Sequence, residues 1–348
     1  MKTNILVISN KFDVHTDSVV FHLNEMGESV IRINTEDFRK NSINWRSCND
    51  WSIATHENRT VNPSKIKSVY VRRMAPINTD DIQSDYKEFV KDESQVMLDA
   101  LPFLLSEVLF IDDPLIRGRS SNKIVQLVMA EQSGLLIPNT LITNQFDQVE
   151  KFCAQQKTIY KTLNVPIIDF KKNGLGMINT TVIYENDLQS IKNSIDVAPC
   201  IFQEYVEKCF ELRIHIIGKK IFSVKIDSQN YKGAEVDWRC GDFDKLHYEN
   251  YELPNGIKEK ILELMESLLL NFGIIDMIVT PDGDNVFLEI NPNGNWIWIE
   301  QKIKIPISKT IANCQSLKIL NHYSANYLGK FLIKFNVNFF GDFNLILV

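Results

Sequence analysis

The pattern of apolar positions over the first third of the chain predicts alternating strands and helices. Residues 4–9 form a short apolar run that is typical of a strand buried on both faces. Capping side chains at residues 16–18 precede apolar residues at helical spacing, and Gly27 is expected to end that helix. A second strand is predicted over residues 29–33, so the chain opens with an α/β domain built on a parallel sheet.

Two further elements are predicted for this domain. Residues 67–74 are expected to form a strand that ends near Arg72 and Arg73. An acidic helical region is predicted over residues 79–107. Its candidate core positions are Phe89, Val96, Leu98, Leu101 and Leu104.

The second half of the chain changes to hairpins and amphipathic helices. Ser121 and Asn122 are predicted to cap a helix that reaches Gly134. Alternation over residues 211–217 predicts a strand with Glu211, Arg213 and His215 on one face, followed by a hairpin partner. Other predicted strands are 140–143, 158–163 and 200–202, and other predicted helices are 146–156, 187–195 and 257–273.

The stretch from Gly273 to Trp298 predicts a hairpin with polar groups inside its apolar strands. Turn-forming residues at 281–285 separate the strands. Because strand side chains alternate between faces, Phe287 and Asn291 are expected on the face of Glu289. A short loop between the strands predicts that Asp276 lies directly opposite Glu289.

Two interpretations of these hairpin acids stay open at this point. Like charges at that distance repel each other, and burying them without a partner costs several kcal/mol. A divalent cation removes the conflict, and a set of oxygen ligands from Asp276, Glu289 and Asn291 favours Mg²⁺ over softer metals. Alternatively, the two acids are solvated side chains of an edge strand.

Composition excludes several classes of protein. A chain of 348 residues is too long for one compact core, so it is expected to divide into subdomains. The net charge of −6 disfavours nucleic-acid binding, and the six cysteines show no C-x-x-C pair or zinc-ligand spacing. The first residues do not predict a signal peptide, and no run approaches the ~18 apolar residues expected of a membrane span. The expected location is cytoplasmic, with no membrane partner.

Several cationic residues interrupt the local pattern and are candidates for binding an anion. Lys161 lies inside a predicted strand, and Lys123 lies at the start of a predicted helix. The alternative is that Lys161 belongs to an edge strand and Lys123 to the surface, with Glu211 and Arg213 forming an ion pair on a wet face. Together with a metal trio, however, these parts match what phosphoryl transfer from ATP requires.

The order of motifs resembles the ATP-grasp fold, in which two α+β halves hold ATP between them. From about residue 4 to residue 314 the chain resembles more narrowly the ATP-grasp ligases that macrocyclise graspetides, the microviridin-type peptides. The motifs that carry the resemblance are KFDVHTD at 11–17, VYVRRMAP at 69–76, SNKIVQLVMAEQSGLLIPNTLITN at 121–144 and FLEINPNGNWIWIE at 287–300.

The resemblance implies a division of the chain and a role for each candidate residue. The implied parts are an α/β pre-ATP-grasp domain at 1–115, a central ATP-grasp subdomain at 116–200, a C-terminal subdomain with the Mg²⁺ site at 201–315, and an atypical tail at 316–348. The implied nucleotide ligands are Lys123, Lys161, the hinge residues Gln203, Glu204, Tyr205 and Val206, the ribose ligand Glu211, and Arg213. The implied catalytic set is Lys161, Arg213 and Arg239, and the implied Mg²⁺ ligands are Asp276, Glu289 and Asn291.

The implied reaction is macrocyclisation of a ribosomally made precursor peptide with a leader and a core. ATP phosphorylates an Asp or Glu side chain, and a Thr or Ser hydroxyl or a Lys amine then closes an ester or amide ring. The resemblance also implies a homodimer and leader docking near residues 165–183. Three alternatives are a RimK-like ligase that adds amino acids to a terminus, a peptide-binding scaffold without catalysis, and a plain structural α/β protein.

Overall fold

A computed structural model describes residues 4–47, 50–55, 60–164, 167–169 and 174–318. Most of the predicted tail at 316–348 and parts of the predicted docking segment at 165–183 lie outside the described residues. The helices are α1 (Val14–Glu25), α2 (Lys87–Leu104), α3 (Pro114–Ser120), α4 (Lys123–Gln132), α5 (Phe146–Cys153), α6 (Glu185–Ile195), α7 (Asn255–Ser267), α8 (Ile297–Ile303) and α9 (Ile307–Leu317). The strands are β1 (Asn4–Ser9), β2 (Ser29–Asn34), β3 (Ser42–Ser47), β4 (Asp50–Ala54), β5 (Thr60–Val61), β6 (Ile66–Val71), β7 (Leu109–Ile111), β8 (Thr140–Thr143), β9 (Thr158–Lys161), β10 (Ile167–Asp169), β11 (Leu175–Met177), β12 (Thr181–Ile183), β13 (Cys200–Glu204), β14 (Phe210–Ile217), β15 (Lys220–Asp227), β16 (His247–Asn250), β17 (Phe272–Val279) and β18 (Asn285–Asn291).

The N-terminal region is a parallel sheet in the order β2-β1-β6-β7, which confirms the predicted α/β domain. Ile5, Leu6 and Val7 are fully buried in β1, as expected for a strand covered on both faces. The predicted cap of α1 at residues 16–18 is wrong. Asp13 caps the helix instead, because its carboxylate accepts a hydrogen bond from Thr16 N at 2.8 Å.

Helix α2 buries fewer of its apolar residues than the sequence predicts. Leu98 and Leu101 are buried, but Phe89 is 64% exposed and Val96 is 69% exposed, so their assignment to the core is wrong. Leu104 is only half-buried. The reason is helical geometry, since residues seven apart share a face and Phe89 and Val96 lie on the face that points away from the sheet.

The middle of the chain forms an antiparallel sheet in the order β12-β9-β13-β8. Helices α5 and α6 cover one face of it, where Phe146, Val149 and Leu188 pack against Phe202 of β13. Strand β9 carries Lys161 at its end, and β13 leads into the predicted adenine hinge. This sheet therefore carries two of the predicted nucleotide contacts.

A five-stranded antiparallel sheet in the order β16-β15-β14-β17-β18 forms the last large unit. Leu212, Ile214 and Ile216 of β14 face helix α7 and its core, as the alternation predicts. The predicted end of that helix at Gly273 is wrong, because α7 stops at Ser267. Gly273 lies in β17, where a Cβ atom would meet Ile290 Cδ1 at 2.6 Å.

The hairpin of β17 and β18 pairs Asp276 with Glu289, as predicted, but a register shift follows that pair. The shift puts Phe287 opposite Met277 and buries both in the core beside α7. The prediction that Phe287 shares the face of Glu289 is therefore wrong. A bulge inserts one unpaired residue, so the alternation of faces is interrupted between Phe287 and Glu289.

Candidate functional site

Two carboxylates and two arginines meet on the face of the C-terminal sheet opposite α7. Asp276 and Glu289 are paired across β17 and β18. Arg213, on neighbouring β14, donates from Nη1 to both carboxylate oxygens of Asp276 at 2.8 and 3.2 Å. Arg239 donates from Nη1 to Glu289 Oε1 at 3.3 Å. The structure thus brings together two of the three predicted metal ligands, Asp276 and Glu289, and the predicted catalytic arginines.

Two lysines approach the same pair from the central sheet and from α4. Lys123 Nζ lies 3.7 Å from Glu289 Oε2 and donates to the carbonyl of Thr162 at 2.8 Å. That second contact ties the start of α4 to the end of β9, where Lys161 lies half-buried. The interpretations of Lys123 as a free surface lysine and of Lys161 as a solvated edge residue are wrong.

The position of Lys123 follows from how α4 covers the outer edge of β18. Gln126 donates from Nε2 to Ile290 O at 2.8 Å and accepts from Ile290 N at 3.1 Å through Oε1. The side-chain amide therefore satisfies both backbone groups of an edge residue. Because Gln126 and Lys123 are three residues apart on one helix face, this pairing sets Lys123 over Glu289.

The charges of the cluster shift the pKa values of its members in opposite directions. Burial raises the pKa of Asp276, while Arg213 opposes that rise. Burial works in the same sense on Glu289, but Arg239, Lys123 and Lys161 outweigh it and lower that pKa. Burial also lowers the pKa of Lys161, and the charge of Glu289 opposes the change. The arrangement therefore favours an ionised Glu289.

Arg239 is held by a second acid that the sequence analysis missed. Asp237 accepts hydrogen bonds at 2.9 Å from both Nε and Nη2 of Arg239, and it also accepts from Thr180 Oγ1 at 3.2 Å. Burial alone would lower the pKa of Arg239. The hydrogen bonds to Asp237 and the charge of Glu289 outweigh that effect, so the pKa lies above its ordinary value. The fork geometry fixes the guanidinium beside Glu289.

Glu211 lies buried on β14 and is paired differently from what the wet-face alternative assumes. Its Oε1 accepts from Lys208 Nζ at 2.6 Å and from Ser228 Oγ at 3.1 Å. Burial raises the pKa of Glu211, and Lys208 opposes that rise. The alternative of a solvated Glu211–Arg213 ion pair is therefore wrong. Lys208 had no signal in the sequence pattern, because it lies in the irregular segment before the strand.

The predicted adenine hinge follows the end of β13. Gln203 is buried and donates from Nε2 to Thr140 Oγ1 at 2.9 Å. The amides of Glu204 and Tyr205 donate to the carbonyls of Asn139 and Lys157 at 3.0 and 2.7 Å. Within the described residues no hydrogen bond is found for the Val206 amide, which comes after these two. The hinge backbone is thus anchored up to Tyr205.

The oxygen donors of the hairpin suit a hard divalent cation. Asp276 and Glu289 share one face, and the exposed Asn291 follows at the end of β18, where its Oδ1 accepts from Asn293 N at 2.9 Å. Across the described part of the chain, no three His, Cys, Asp or Glu side chains converge as a metal site. Two carboxylates plus an amide oxygen nevertheless form a chemically suitable set for Mg²⁺, which commonly keeps waters in its remaining positions.

Comparison with known proteins agrees with this arrangement. Residues 4–115 match the family model of the MvdD pre-ATP-grasp domain. The macrocyclase MdnC of Microcystis aeruginosa MRC, solved with precursor peptide MdnA, is 30% identical over 90% of this chain and 99% of its own, with a TM-score of 0.79. No curated protein matches the chain in sequence.

Two further solved structures share the fold. A RiPP-associated ATP-grasp ligase of Chryseobacterium gregarium, solved with ADP and a leader and core peptide, is 26% identical over 92% of this chain and 98% of its own, with a TM-score of 0.84. PsnB, solved with a phosphomimetic variant of a minimal precursor, Mg and ADP, is 18% identical over 91% of this chain and 99% of its own, with a TM-score of 0.74. At that identity PsnB shows likeness of fold.

None of the helices in the described ranges is long and apolar enough to cross a membrane.

The parallel N-terminal sheet, the two larger antiparallel sheets and the charged cluster are those expected of the ATP-grasp fold. With MdnC similar over nearly its whole length, the sequence resemblance to peptide-modifying ligases is confirmed. The chain therefore belongs to the graspetide-type family of ATP-grasp peptide ligases and is itself an ATP-grasp ligase.

Proposed function

We propose that this ligase macrocyclises a ribosomally made precursor peptide at the expense of ATP. A carboxylate oxygen of an Asp or Glu side chain attacks the γ-phosphorus, ADP leaves, and an acyl phosphate forms on the peptide. A Thr or Ser hydroxyl, or a Lys amine, of the same peptide then attacks the acyl carbon. Phosphate leaves with the bonding electrons, the nucleophile loses its proton, and an ester or amide ring closes.

The observation that carries this proposal is the Asp276–Glu289 pair and the cations around it. Arg213, Arg239 and Lys123 have nitrogen atoms within 4 Å of these carboxylates. With Lys161, four cations face the three acids Asp237, Asp276 and Glu289, and this excess of positive charge suits a transferring phosphoryl group with charge on several oxygens. A structural ion pair alone would not require lysines from two other elements.

The metal ligands would be Asp276, Glu289 and Asn291. Mg²⁺ bound there supplies positive charge that neutralises the oxygens of the nucleotide phosphates. In the present arrangement Arg213 and Arg239 neutralise the carboxylates instead. Both arginines thus have a carboxylate partner that they can exchange for a phosphoryl or carboxylate group of the substrates.

The remaining roles are proposed for groups of this chain alone. Lys123 and Lys161 bind the phosphates, and Arg213 and Arg239 orient the acyl phosphate and the substrate carboxylate. The backbone of Glu204 and Val206 recognises adenine, flanked by Gln203 and Tyr205, and Glu211 accepts from a ribose hydroxyl through the oxygen that Lys208 leaves free. No nucleophilic side chain of the enzyme is needed, because the peptide provides both the carboxylate and its acceptor.

The precursor peptide is proposed to bind through its leader at the β10–β11 hairpin. Three apolar side chains are exposed there, Ile167 at 53%, Leu175 at 74% and Met177 at 69%. Exposed apolar groups on a short hairpin are suited to a peptide partner.

The proposed divisions of the chain remain 1–115, 116–200, 201–315 and 316–348. The homodimer, the cytoplasmic location and the absence of a nucleic-acid partner stay predictions from the sequence.

The test is incubation of the purified enzyme with ATP, Mg²⁺ and a leader–core peptide rich in Thr, Ser, Asp and Glu. The proposal expects ADP release that depends on the peptide, together with a peptide mass lower by one water for each ring. ATP consumption with free glutamate and no precursor peptide would favour the RimK-like alternative. A bound peptide without any ADP release would favour the scaffold.

A further inference from the structure

A buried arginine of the N-terminal domain reaches into the loop that follows the proposed metal ligands. Arg72, directly after β6, is 2% exposed. Its Nη1 donates to Asn293 Oδ1 at 3.2 Å, and its Nη2 donates to Gly294 O at 3.0 Å and Asn295 Oδ1 at 3.2 Å. We call residues 292–296 the junction loop. Three acceptors of this loop are therefore held by one guanidinium.

Two further contacts, with Trp296 and Asp13, fix the guanidinium of Arg72. It stacks over the ring of Trp296 at 4.2 Å, and Nε lies 3.4 Å from Asp13 Oδ1. Next to it, the ring of His15 packs edge-on against Trp296, with 4.5 Å between the ring centroids. Planar stacking and a fork of donors are specific to arginine, so a lysine would keep the charge but lose this geometry.

The junction loop in turn holds two groups of the candidate site. The carbonyl of Asn295 accepts from Arg213 Nη2 at 3.2 Å, while the Nη1 of the same side chain binds Asp276. At the other end of the loop, Asn293 N donates to Asn291 Oδ1 at 2.9 Å. A displacement of the loop would therefore move Arg213 and release Asn291 together.

We propose that Arg72 is a positioning residue of the active site. It does not reach the reacting groups itself, but it fixes the junction loop so that Arg213 and Asn291 keep the orientations that phosphoryl transfer requires. This inference rests on the proposed function for the roles of Arg213 and Asn291. It also gives the N-terminal domain a part in catalysis beyond folding, because the guanidinium comes from that domain.

Sequence motifs that were unrelated along the chain meet in this contact. Asp13 and His15 belong to KFDVHTD, Arg72 to VYVRRMAP, and residues 293–296 to the stretch NPNGNW. If their purpose were only to join domains, apolar packing would serve as well, since burying a charged fork carries a large desolvation cost. A planar guanidinium forms its hydrogen bonds only when the acceptors lie at defined positions. It is therefore suited to holding a loop whose position matters for chemistry.

The experiment compares Arg72→Lys with Arg117→Lys. Arg117 is also buried and donates to Val71 O at 2.8 Å, beside Arg72, and within the described residues no hydrogen bond or ion pair joins it to the junction loop. Each folded variant is assayed for kcat and KM in ADP release, over a range of Mg²⁺ concentrations. Hydrogen exchange of residues 291–297 and calorimetric binding of ADP with Mn²⁺ are measured without peptide.

For Arg72→Lys we expect kcat to fall about 10- to 100-fold, with the KM for ATP little changed at saturating Mg²⁺. We also expect a higher Mg²⁺ requirement, weaker binding of ADP with Mn²⁺, and faster exchange in the junction loop. Arg117→Lys should keep the wild-type kcat and loop exchange even if it unfolds at a lower temperature. Equal kcat in Arg72→Lys and wild type, or equal losses in both variants, would overturn the inference.

Two provisions keep the inference testable. If Arg72→Lys does not fold, the double variant Asn293→Ala/Asn295→Ala removes two acceptors from the loop side and should reproduce the loss of kcat; a wild-type kcat would refute the role. If the wild-type enzyme turns over no peptide, the proposed function fails by itself. The inference is then decided by loop exchange and Mn²⁺–ADP affinity, both of which must change in Arg72→Lys and not in Arg117→Lys.

Discussion

Asp276 and Glu289 lie directly opposite each other, yet each is neutralised by a different arginine. Arg213 binds Asp276 from the neighbouring strand of the same sheet, and Arg239 approaches Glu289 from the segment after β15. The arginines thus offset the repulsion between two carboxylates that lie close together. In such an arrangement a divalent cation can replace the arginines as the partner of the two carboxylates.

The buried pair of Lys208 and Glu211 should be far more sensitive to substitution than a similar surface pair. Lys208→Met leaves the carboxylate of Glu211 buried without its cation, so we expect a loss of about 3–5 kcal/mol in the free energy of unfolding. Lys225→Met breaks the exposed pair with Glu249 on the neighbouring strands and should cost about 0–1 kcal/mol. Urea unfolding of both variants measures the difference. Equal losses would contradict the role assigned to burial.

Lys161 should matter for ATP affinity. We expect Lys161→Met to raise the KM for ATP about 10- to 100-fold, because a charge-assisted contact with the phosphates is lost. Lys151→Met, on the exposed side of α5 in the same subdomain, is the control and should leave the KM unchanged. Steady-state ADP release at varied ATP gives both constants. A wild-type KM in Lys161→Met would remove this lysine from the nucleotide site.

The junction loop packs too closely on β17 to accept a side chain at Gly294. A Cβ atom there would lie 2.7 Å from Ile274 Cδ1. We expect Gly294→Ala to cost about 1–3 kcal/mol of unfolding free energy, and Ile274→Val, which removes that methyl group, to restore part of the loss in the double variant. Gly118→Ala, where nothing lies within 4 Å, serves as the control. Thermal unfolding that ranks Gly294→Ala with Gly118→Ala would contradict the close approach.

His15 should make the fold less stable in acid. Burial, and next the charge of Arg72, lower the pKa of His15 from 6.5 to about 4. The unfolded chain therefore takes up the proton first, so this contribution to stability is complete above pH 6.5 and is lost as the pH falls towards 4, by roughly 2–3 kcal/mol. In His15→Asn the decrease of stability over that window should be smaller. It should not vanish, because His215 has a pKa of about 3 and acts in the same direction.

Regular patterns in the sequence predicted the frame of the candidate site. Strict alternation over residues 211–217 identified the face that carries Glu211 and Arg213, and the hairpin argument predicted the Asp276–Glu289 pair. Both rest on the two-residue period of a strand, which is a local property. The cap Asn122 and the helix that places Lys123 were likewise predicted from local signals.

Features that depend on distant partners were beyond such reasoning. The bulge that buries Phe287 exists because β18 pairs with β17 while its other edge is covered from α4 and Leu136. Gln126 and Arg72 act on partners that are remote in the chain, at Ile290 and Gly294. Lys208 lies outside the regular elements, where no pattern identifies it. The same limit explains the errors at Phe89 and Val96, since helical spacing alone does not show which face meets the sheet.

The central claim is that the carboxylates of the hairpin support phosphoryl transfer to a peptide. The most direct measurement is Mg²⁺-dependent ADP release with the precursor peptide by wild type, Glu289→Gln and Glu249→Gln, since Gln keeps the shape of the side chain and removes its charge. The account predicts that wild type and Glu249→Gln release ADP only when both Mg²⁺ and peptide are present, and that Glu289→Gln loses about 100-fold or more in kcat. Wild-type turnover by Glu289→Gln at the same Mg²⁺ concentration would contradict it.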